Sequence, residues 1–360
     1  MPDKFSVLIP AYCPADSMVS YVGELYEKGI RDILVVDDGS GREYGEVFEK
    51  LKEGPACEVI GYEENRGKGA ALKFGFEHIM RTKPDCRAVI TADCDGQHTP
   101  GDVMRTAEAV KEHPDDLILG VRDFSVAADG SKVPLRSRFG NMSSSAIFFL
   151  LFHRHLGDTQ TGLRGFSAEF LPFMCEIPGS RYEYEIQVLI ACVRERIPFF
   201  EIPITTVYEN DNAGSHFRPL QDSSRIMAVM FREFFLFIGS SLLSAAVDIA
   251  GAWFLMDALR LVIRDSDFIR ITAATVGARL VSMWVNYTLN RKLVFRSGKA
   301  NRRTMGRYVI LCMVVMVLSS LFVYGTSQFL GLNEKLAKVI GDCLLFFLSY
   351  KAQKGWVFRS

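Results

Sequence analysis

Ala88-Val89-Ile90-Thr91-Ala92-Asp93-Cys94-Asp95-Gly96-Gln97-His98 joins a short apolar run to a pair of carboxylates. The run Ala88 to Thr91 reads as a buried strand. Alternate residues of an extended segment point the same way, so Asp93 and Asp95 can reach one cation together while Cys94 points away. Mg2+ is typically held by one or two carboxylates plus substrate phosphates, which makes the pair a candidate metal site at a strand end. An isolated Asp-x-Asp is more often a solvated acidic turn. The sequence on either side shifts that balance.

Upstream and downstream, strand-like and helix-like stretches alternate. Phe5 to Ile9, Asp32 to Val36, Glu58 to Ile60, Ala88 to Thr91 and Leu117 to Gly120 read as strands. Ser17 to Lys28, Ala70 to Met80 and Asp102 to His113 read as helices. This order predicts an α/β domain, a mostly parallel sheet with helices on both faces. Such sheets bind ligands at the carboxyl ends of strands, near the point where strand order reverses. Polar residues fall at four of those ends: Tyr12, then Asp37 and Asp38, then Asp93 and Asp95, then Arg122. Asn65-Arg66-Gly67-Lys68-Gly69 enters a helix, and helix starts suit anions, so Lys68 is a candidate phosphate contact beside the plainer reading of an ordinary N-terminal loop.

The composition changes along the 360 residues. Formal net charge is zero and 49% of residues are hydrophobic, an excess concentrated beyond Phe231 in long apolar blocks. Hydrocarbon of about 30 Å needs about 20 residues of helix. Four segments qualify, about 234–259, 268–289, 308–329 and 337–357, the second and fourth carrying polar residues. The loop between the second and third holds Arg291, Lys292, Arg296, Lys299, Arg302, Arg303 and Arg307 without an acidic residue, which predicts a cytoplasmic loop. The N-terminal half and the C-terminus would then be cytoplasmic as well. Met1-Pro2-Asp3-Lys4 leads straight into a strand, with no secretory h-region. Eight cysteines form no C-x-x-C pair and read as reduced packing residues. Asp248, Arg279, Asn286 and Asp342 lie in or near the spans, with Asp248 and Arg279 the expected pair.

Ile9-Pro10-Ala11-Tyr12, Val36-Asp37-Asp38-Gly39-Ser40, Asn65-Arg66-Gly67-Lys68-Gly69-Ala70-Ala71 and Asp93-Cys94-Asp95-Gly96-Gln97 resemble the ordered motifs of glycosyltransferase family 2, of the dolichol- and polyprenyl-phosphate type. The resemblance runs from about Phe5 to Arg225. It implies a GT-A fold for residues 1–225, a nucleotide-sugar donor (UDP- or GDP-linked), Mg2+ or Mn2+, and inversion at the anomeric carbon. Carried over by position, Pro10, Ala11, Tyr12, Asp38, Lys68 and Gln97 border the donor, and Asp93 and Asp95 hold the metal. Cys13-Pro14-Ala15-Asp16 departs from the Asn-Glu that often follows the first motif.

Gly157-Asp158-Thr159-Gln160-Thr161-Gly162-Leu163-Arg164 matches the segment in which the family's proposed base stands, at Asp158, a residue that could equally orient arginines or the sugar. Guanidinium groups recognise phosphate with paired hydrogen bonds. Arg122, Arg136, Ser137 and Arg138 occupy the family's acceptor-phosphate region, and Arg218 stands near the place of a family Arg that is Asn here. Glu183 and Glu185 are either substrate contacts or a solvated helix start. Asn286-Tyr287-Thr288-Leu289-Asn290-Arg291-Lys292-Leu293-Val294-Phe295 resembles the GtrA-like four-helix membrane family, and Ser349-Tyr350-Lys351-Ala352-Gln353-Lys354-Gly355-Trp356-Val357-Phe358 is a fainter second copy; residues 226–360 form that domain.

The expected activity is transfer of one sugar to polyprenyl phosphate at the membrane. The partners are donor, acceptor and lipid bilayer, with no nucleic acid; a homo-oligomer is compatible with this reading. The alternatives are a lipid-sugar translocator or scaffold with a degenerate transferase domain, a nucleotidyltransferase, and a processive polysaccharide synthase. The last is disfavoured because none of Trp253, Trp284 and Trp356 follows an arginine.

Overall fold

The computed structural model describes residues 4–54, 56–122, 135–205, 219–264, 266–295, 302–331 and 334–358. The chain divides into two compact units, Met1–Met230 and Phe231–Ser360.

In the first unit, β1 (Phe5–Ala11), β2 (Ile33–Asp38), β3 (Cys57–Tyr62), β4 (Ala88–Thr91), β5 (Leu117–Arg122), β6 (Arg164–Ser167) and β7 (Phe199–Ile204) form one sheet. Its order is β3-β2-β1-β4-β6-β5-β7. β6 runs antiparallel to β4 and β5, and the other pairs are parallel. The strand order reverses between β1 and β4, so their carboxyl ends, Tyr12 and Asp93, flank the crevice where such sheets bind ligands.

The helices are α1 (Ser17–Glu27), α2 (Gly45–Glu53), α3 (Lys68–Thr82), α4 (Pro100–Glu112), α5 (Leu135–Phe152), α6 (Leu171–Glu176) and α7 (Glu183–Glu195). Side-chain alternation along β1 divides them between two layers. Val7 and Ile9 join one buried cluster with Met18 and Leu25 of α1, Phe48 of α2 and Val103 of α4. Leu8 points the other way, onto Gly75 of α3, where a Cβ would lie 2.4 Å from Leu8 Cδ1. The expected mostly parallel α/β sheet is therefore present. Five elements have no counterpart in the sequence reading: α2, α5, α6, β6 and β7. β6 is Arg-Gly-Phe-Ser, too short and too polar to show a period, and Gly165 is there because Thr106, Val110 and Ile90 close over it.

The remaining helices are α8 (Pro219–Arg260), α9 (Asp267–Leu289), α10 (Arg302–Leu330) and α11 (Glu334–Ala352). Among the described residues one helical segment, Gln221–Arg260, is long and apolar enough to cross a membrane by length and composition. The other three expected spans fall on α9, α10 and α11. Large apolar side chains point outward in this unit, among them Leu242, Trp253, Phe254, Trp284, Met316 and Leu321. Asp248 does pair with Arg279 (3.2 Å) and also accepts from Ser282 Oγ. The Asp342 side chain lies outside the described residues.

α9 and α11 end alike, each passing into one π turn, Asn290–Val294 and Gln353–Val357. The two copies of the repeated sequence face one another. Tyr287 packs on Phe358 (ring centroids 5.6 Å) and Tyr350 on Phe295 (5.9 Å), while Phe295 and Phe358 stack at 5.2 Å. Between them Asn290 Nδ2 donates to Gln353 Oε1 (2.9 Å) and to Asn286 Oδ1 (2.6 Å), and Ser240 Oγ donates to Asn290 Oδ1. Buried polar groups are thus satisfied by one another, as an apolar helical unit requires.

Candidate active site

A cleft of about 360 Å3 opens at the carboxyl ends of β1, β2 and β4. Pro10, Ala11 and Tyr12 line it from β1, Asp38 from β2, Lys68 from the start of α3, and Asp93 and Asp95 from the loop after β4. Asn65, Gly67 and Cys94 complete this side. The opposite side comes from Arg181 and Tyr182, just before α7, and from Gln221, Asp222 and Arg225 in the first turns of α8. Six separate stretches of the sequence therefore meet in one place.

Asp38 is buried at this rim, and its carboxylate organises the loop beside it. It accepts from Tyr62 Oη (2.6 Å), Asn65 Nδ2 (3.0 Å), the Arg66 N–H (2.9 Å) and the Gly67 N–H (2.9 and 3.0 Å to its two oxygens). Asp37 caps the turn by accepting from the Ser40 N–H, and Ser40 Oγ accepts from the Cys13 N–H, tying the ends of β1 and β2 together.

Lys68 Nζ lies 2.6 Å from Asp93 Oδ1 and 2.9 Å from Glu185 Oε1 of α7. Asp93 Oδ2 faces His98 Nε2 at 3.4 Å. Burial pushes the Asp93 carboxyl up, but Lys68 and His98 outweigh it and hold the group below the usual carboxylate range. Asp95 goes the other way: burial and then the Asp93 charge raise it. One Asp95 oxygen accepts from the Gln97 N–H (3.1 Å). Gly162 is where it is because of this pair, since a Cβ there would sit 2.3 Å from Asp93 Oδ2.

The model of glycosyl transferase family 2 matches residues 6–171, which include β1 through β6 and the Asp93–Asp95 loop. The chain belongs to glycosyltransferase family 2. The GtrA/DPMS transmembrane-domain model matches residues 261–358 of the same transferase. An uncharacterized protein of Methanocaldococcus jannaschii is 32% identical over 57% of this chain and 82% of its own length. A UDP-N-acetylglucosamine–dolichyl-phosphate N-acetylglucosaminyltransferase of Methanococcus voltae is 29% identical over 58% of this chain and 88% of its own. Among solved structures, glucosyl-3-phosphoglycerate synthase from Mycobacterium tuberculosis, in complex with Mn2+, UDP-glucose and phosphoglyceric acid, aligns with TM-score 0.48 and 16% identity over 64% of this chain and 79% of that one.

Arg122, Asp158, Gln97 and Arg138 are not among the residues that line the cleft. Asp158 is fully buried and accepts a two-point hydrogen bond from Arg122 (Nε to Oδ2 2.6 Å, a terminal nitrogen to Oδ1 3.2 Å), and its Oδ1 also accepts from the Gln160 N–H. In this geometry Asp158 orients the Arg122 guanidinium. Gln97 contributes its backbone N–H to Asp95. Arg138 is exposed in the first turn of α5; Arg136 and Ser137 share that turn, but their side chains, like all of Arg218, lie outside the described residues. Sequence reasoning did not single out Arg181, Tyr182, Asp222, Arg225 or His98. Glu183 proves to hold the turn before α7, its Oε1 accepting from the Ser180 and Arg181 N–H groups, and Glu185 is a buried partner of Lys68.

Among the described residues no three His, Cys, Asp or Glu side chains converge as a ready-made metal cage. The donor set nonetheless fits a hard divalent ion bound jointly with a diphosphate. Two half-buried carboxylates one residue apart line the cleft, an oxygen donor set of the kind that holds Mg2+ together with substrate phosphates.

Proposed function

We propose that this transferase moves one sugar from a nucleotide diphosphate to a polyprenyl phosphate, in a single inverting displacement at the cytoplasmic face of a membrane that its C-terminal unit spans four times. The observation that carries the reading is the convergence of Pro10–Tyr12, Asp38, Lys68, Asp93 and Asp95 on one cleft at the switch point of the sheet. The acceptor class follows the Methanococcus voltae relative, which is named for dolichyl phosphate. The C-terminal match to a transmembrane-domain model and the outward apolar side chains support the bilayer.

In the reaction an acceptor phosphate oxygen bonds to the anomeric carbon as the bond from that carbon to the donor diphosphate breaks. The electron pair leaves with the nucleoside diphosphate. A lipid phosphate is already anionic at neutral pH, so the attack needs no strong base, in keeping with Asp158 being occupied by Arg122. Mg2+ or Mn2+ held by Asp95 and Asp93 would supply Lewis-acid stabilisation of the departing diphosphate. Arg181 and Arg225 at the opposite side of the cleft offer guanidinium groups to the substrate phosphates. Fixed charges aimed at developing charge lower the barrier without reorganising.

Membranes containing the chain, incubated with a panel of radiolabelled UDP- and GDP-sugars and extracted with organic solvent, should yield label in the lipid phase for one donor. Asp95→Ala should reduce that label by roughly a hundredfold or more, the scale of losing one electrostatic contact to the transition state. Label that stays water-soluble with every donor overturns the acceptor class; an unaltered rate in purified Asp95→Ala overturns the metal site.

A further inference from the structure

Lys68 is placed as a phosphate-binding lysine need not be. Its ammonium is largely enclosed, with the side chain 16% exposed, and it bridges two carboxylates rather than reaching into open space. The glycines on either side explain how. A Cβ on Gly67 would lie 2.5 Å from Arg181 Cγ, and one on Gly69 would lie 2.5 Å from Tyr184 Cβ. The Gly-Lys-Gly step thus lets the start of α3 rest directly against the start of α7, with Ala70 N–H donating to Ser180 O (2.9 Å). That approach delivers Glu185 to Lys68.

Both oxygens of Asp93 are therefore engaged by the chain itself, Oδ1 by a full positive charge and Oδ2 by His98. A divalent ion cannot take Oδ1 while the ammonium remains in contact with it. We propose that Lys68 is an internal cation that occupies Asp93 until a divalent ion displaces it, and that Glu185 is the positioning residue that keeps the displaced ammonium paired. The inference rests on the metal-site reading above. Only ionic contacts are exchanged; no covalent bond changes. Metal alone must push Lys68 back onto Glu185, whereas metal arriving with a nucleoside diphosphate brings the ammonium a new anionic partner. Metal and nucleotide are thereby made to bind cooperatively, with reciprocal effect on each other's affinity.

The test is Mn2+ binding to the purified full-length chain, read from the electron paramagnetic resonance of the free ion, without nucleotide and then with UDP or GDP. Lys68→Gln should bind Mn2+ alone roughly tenfold or more tightly than the unaltered chain, the least that one charge-assisted contact to Asp93 is worth. It should also lose most of the strengthening that nucleotide gives the unaltered chain. Glu185→Gln keeps the Lys68–Asp93 pair and confines the ammonium there, so Mn2+ alone should bind more weakly; this variant carries the test if Lys68→Gln does not fold. Unchanged or weaker binding in Lys68→Gln, or unchanged or tighter binding in Glu185→Gln, overturns the exchange and leaves the metal site standing. Absence of Mn2+ binding by the unaltered chain with either nucleotide removes the metal-site reading and the exchange together.

Discussion

Gly162 reports on Asp93 from the far side. Its Cα faces the carboxylate so closely that any Cβ must move Asp93 or the β6 approach. Gly162→Ala is expected to cost roughly 1–3 kcal/mol of stability by overpacking. It should also lower transferase turnover well beyond what the loss of folded protein explains, which turnover per folded molecule at a temperature below the melt would check. The paired carboxylates and Tyr12 could be read from residue type and position at strand ends, while Pro10 and Ala11 came from the family resemblance. The partners of Lys68 could not. Nothing in the chain order says that a glycine on each side of a lysine serves contact with a helix more than a hundred residues later. Asp38 could be placed on the rim for the same reason as Asp93, but half of the donors that make it the staple of the 62–67 segment are backbone N–H groups, of Arg66 and Gly67, whose side chains give no sign of the contact.

At the scale of elements, the strands with continuous apolar runs were legible, and β4 was legible to its ends. β6 was not: it is as short as β4, but Arg-Gly-Phe-Ser has no apolar run to mark it. One edge of the sheet is held by charge. Lys83, at the end of α3, bridges Asp32 before β2 and Glu58 of β3 (3.2 Å to the latter), and His78 of α3 meets Glu58 at 2.7 Å. Burial pushes the Glu58 carboxyl up; Lys83 and His78 more than offset this and leave it below the usual range. A depressed acid contributes stability above its unfolded pKa of about 4.3 that is lost as pH falls through the folded value. Burial lowers the Lys83 ammonium, but Asp32 and Glu58 outweigh it, so its contribution is full below an unfolded pKa of about 10.4 and is lost as pH rises past the folded one. Melting temperature against pH should therefore fall more gently at both the acid and the alkaline end for Lys83→Met than for the unaltered chain. The difference should be small, since Glu58 is 44% exposed and solvent screens the pair. On α1, Gly23 has open space where a Cβ would stand. Gly23→Ala should stabilise by roughly 0.5–1 kcal/mol and raise the melting temperature.

At the scale of the whole molecule, the division into two compact units falls at Met230, and the long apolar blocks begin beyond Phe231. The proposed cytoplasmic placement of the basic loop predicts that a C-terminal green fluorescent protein fusion fluoresces and that an alkaline phosphatase fusion at the same place is inactive; the opposite pattern overturns it. The meeting of Asn290 with Gln353 has a further consequence. Asn290 and Gln353 hold equivalent places in the two copies, yet a shorter and a longer amide interlock there. The fit at the seam depends on that inequality of length. Asn290→Gln alone should then jam the seam, while exchanging the two residues together should restore it.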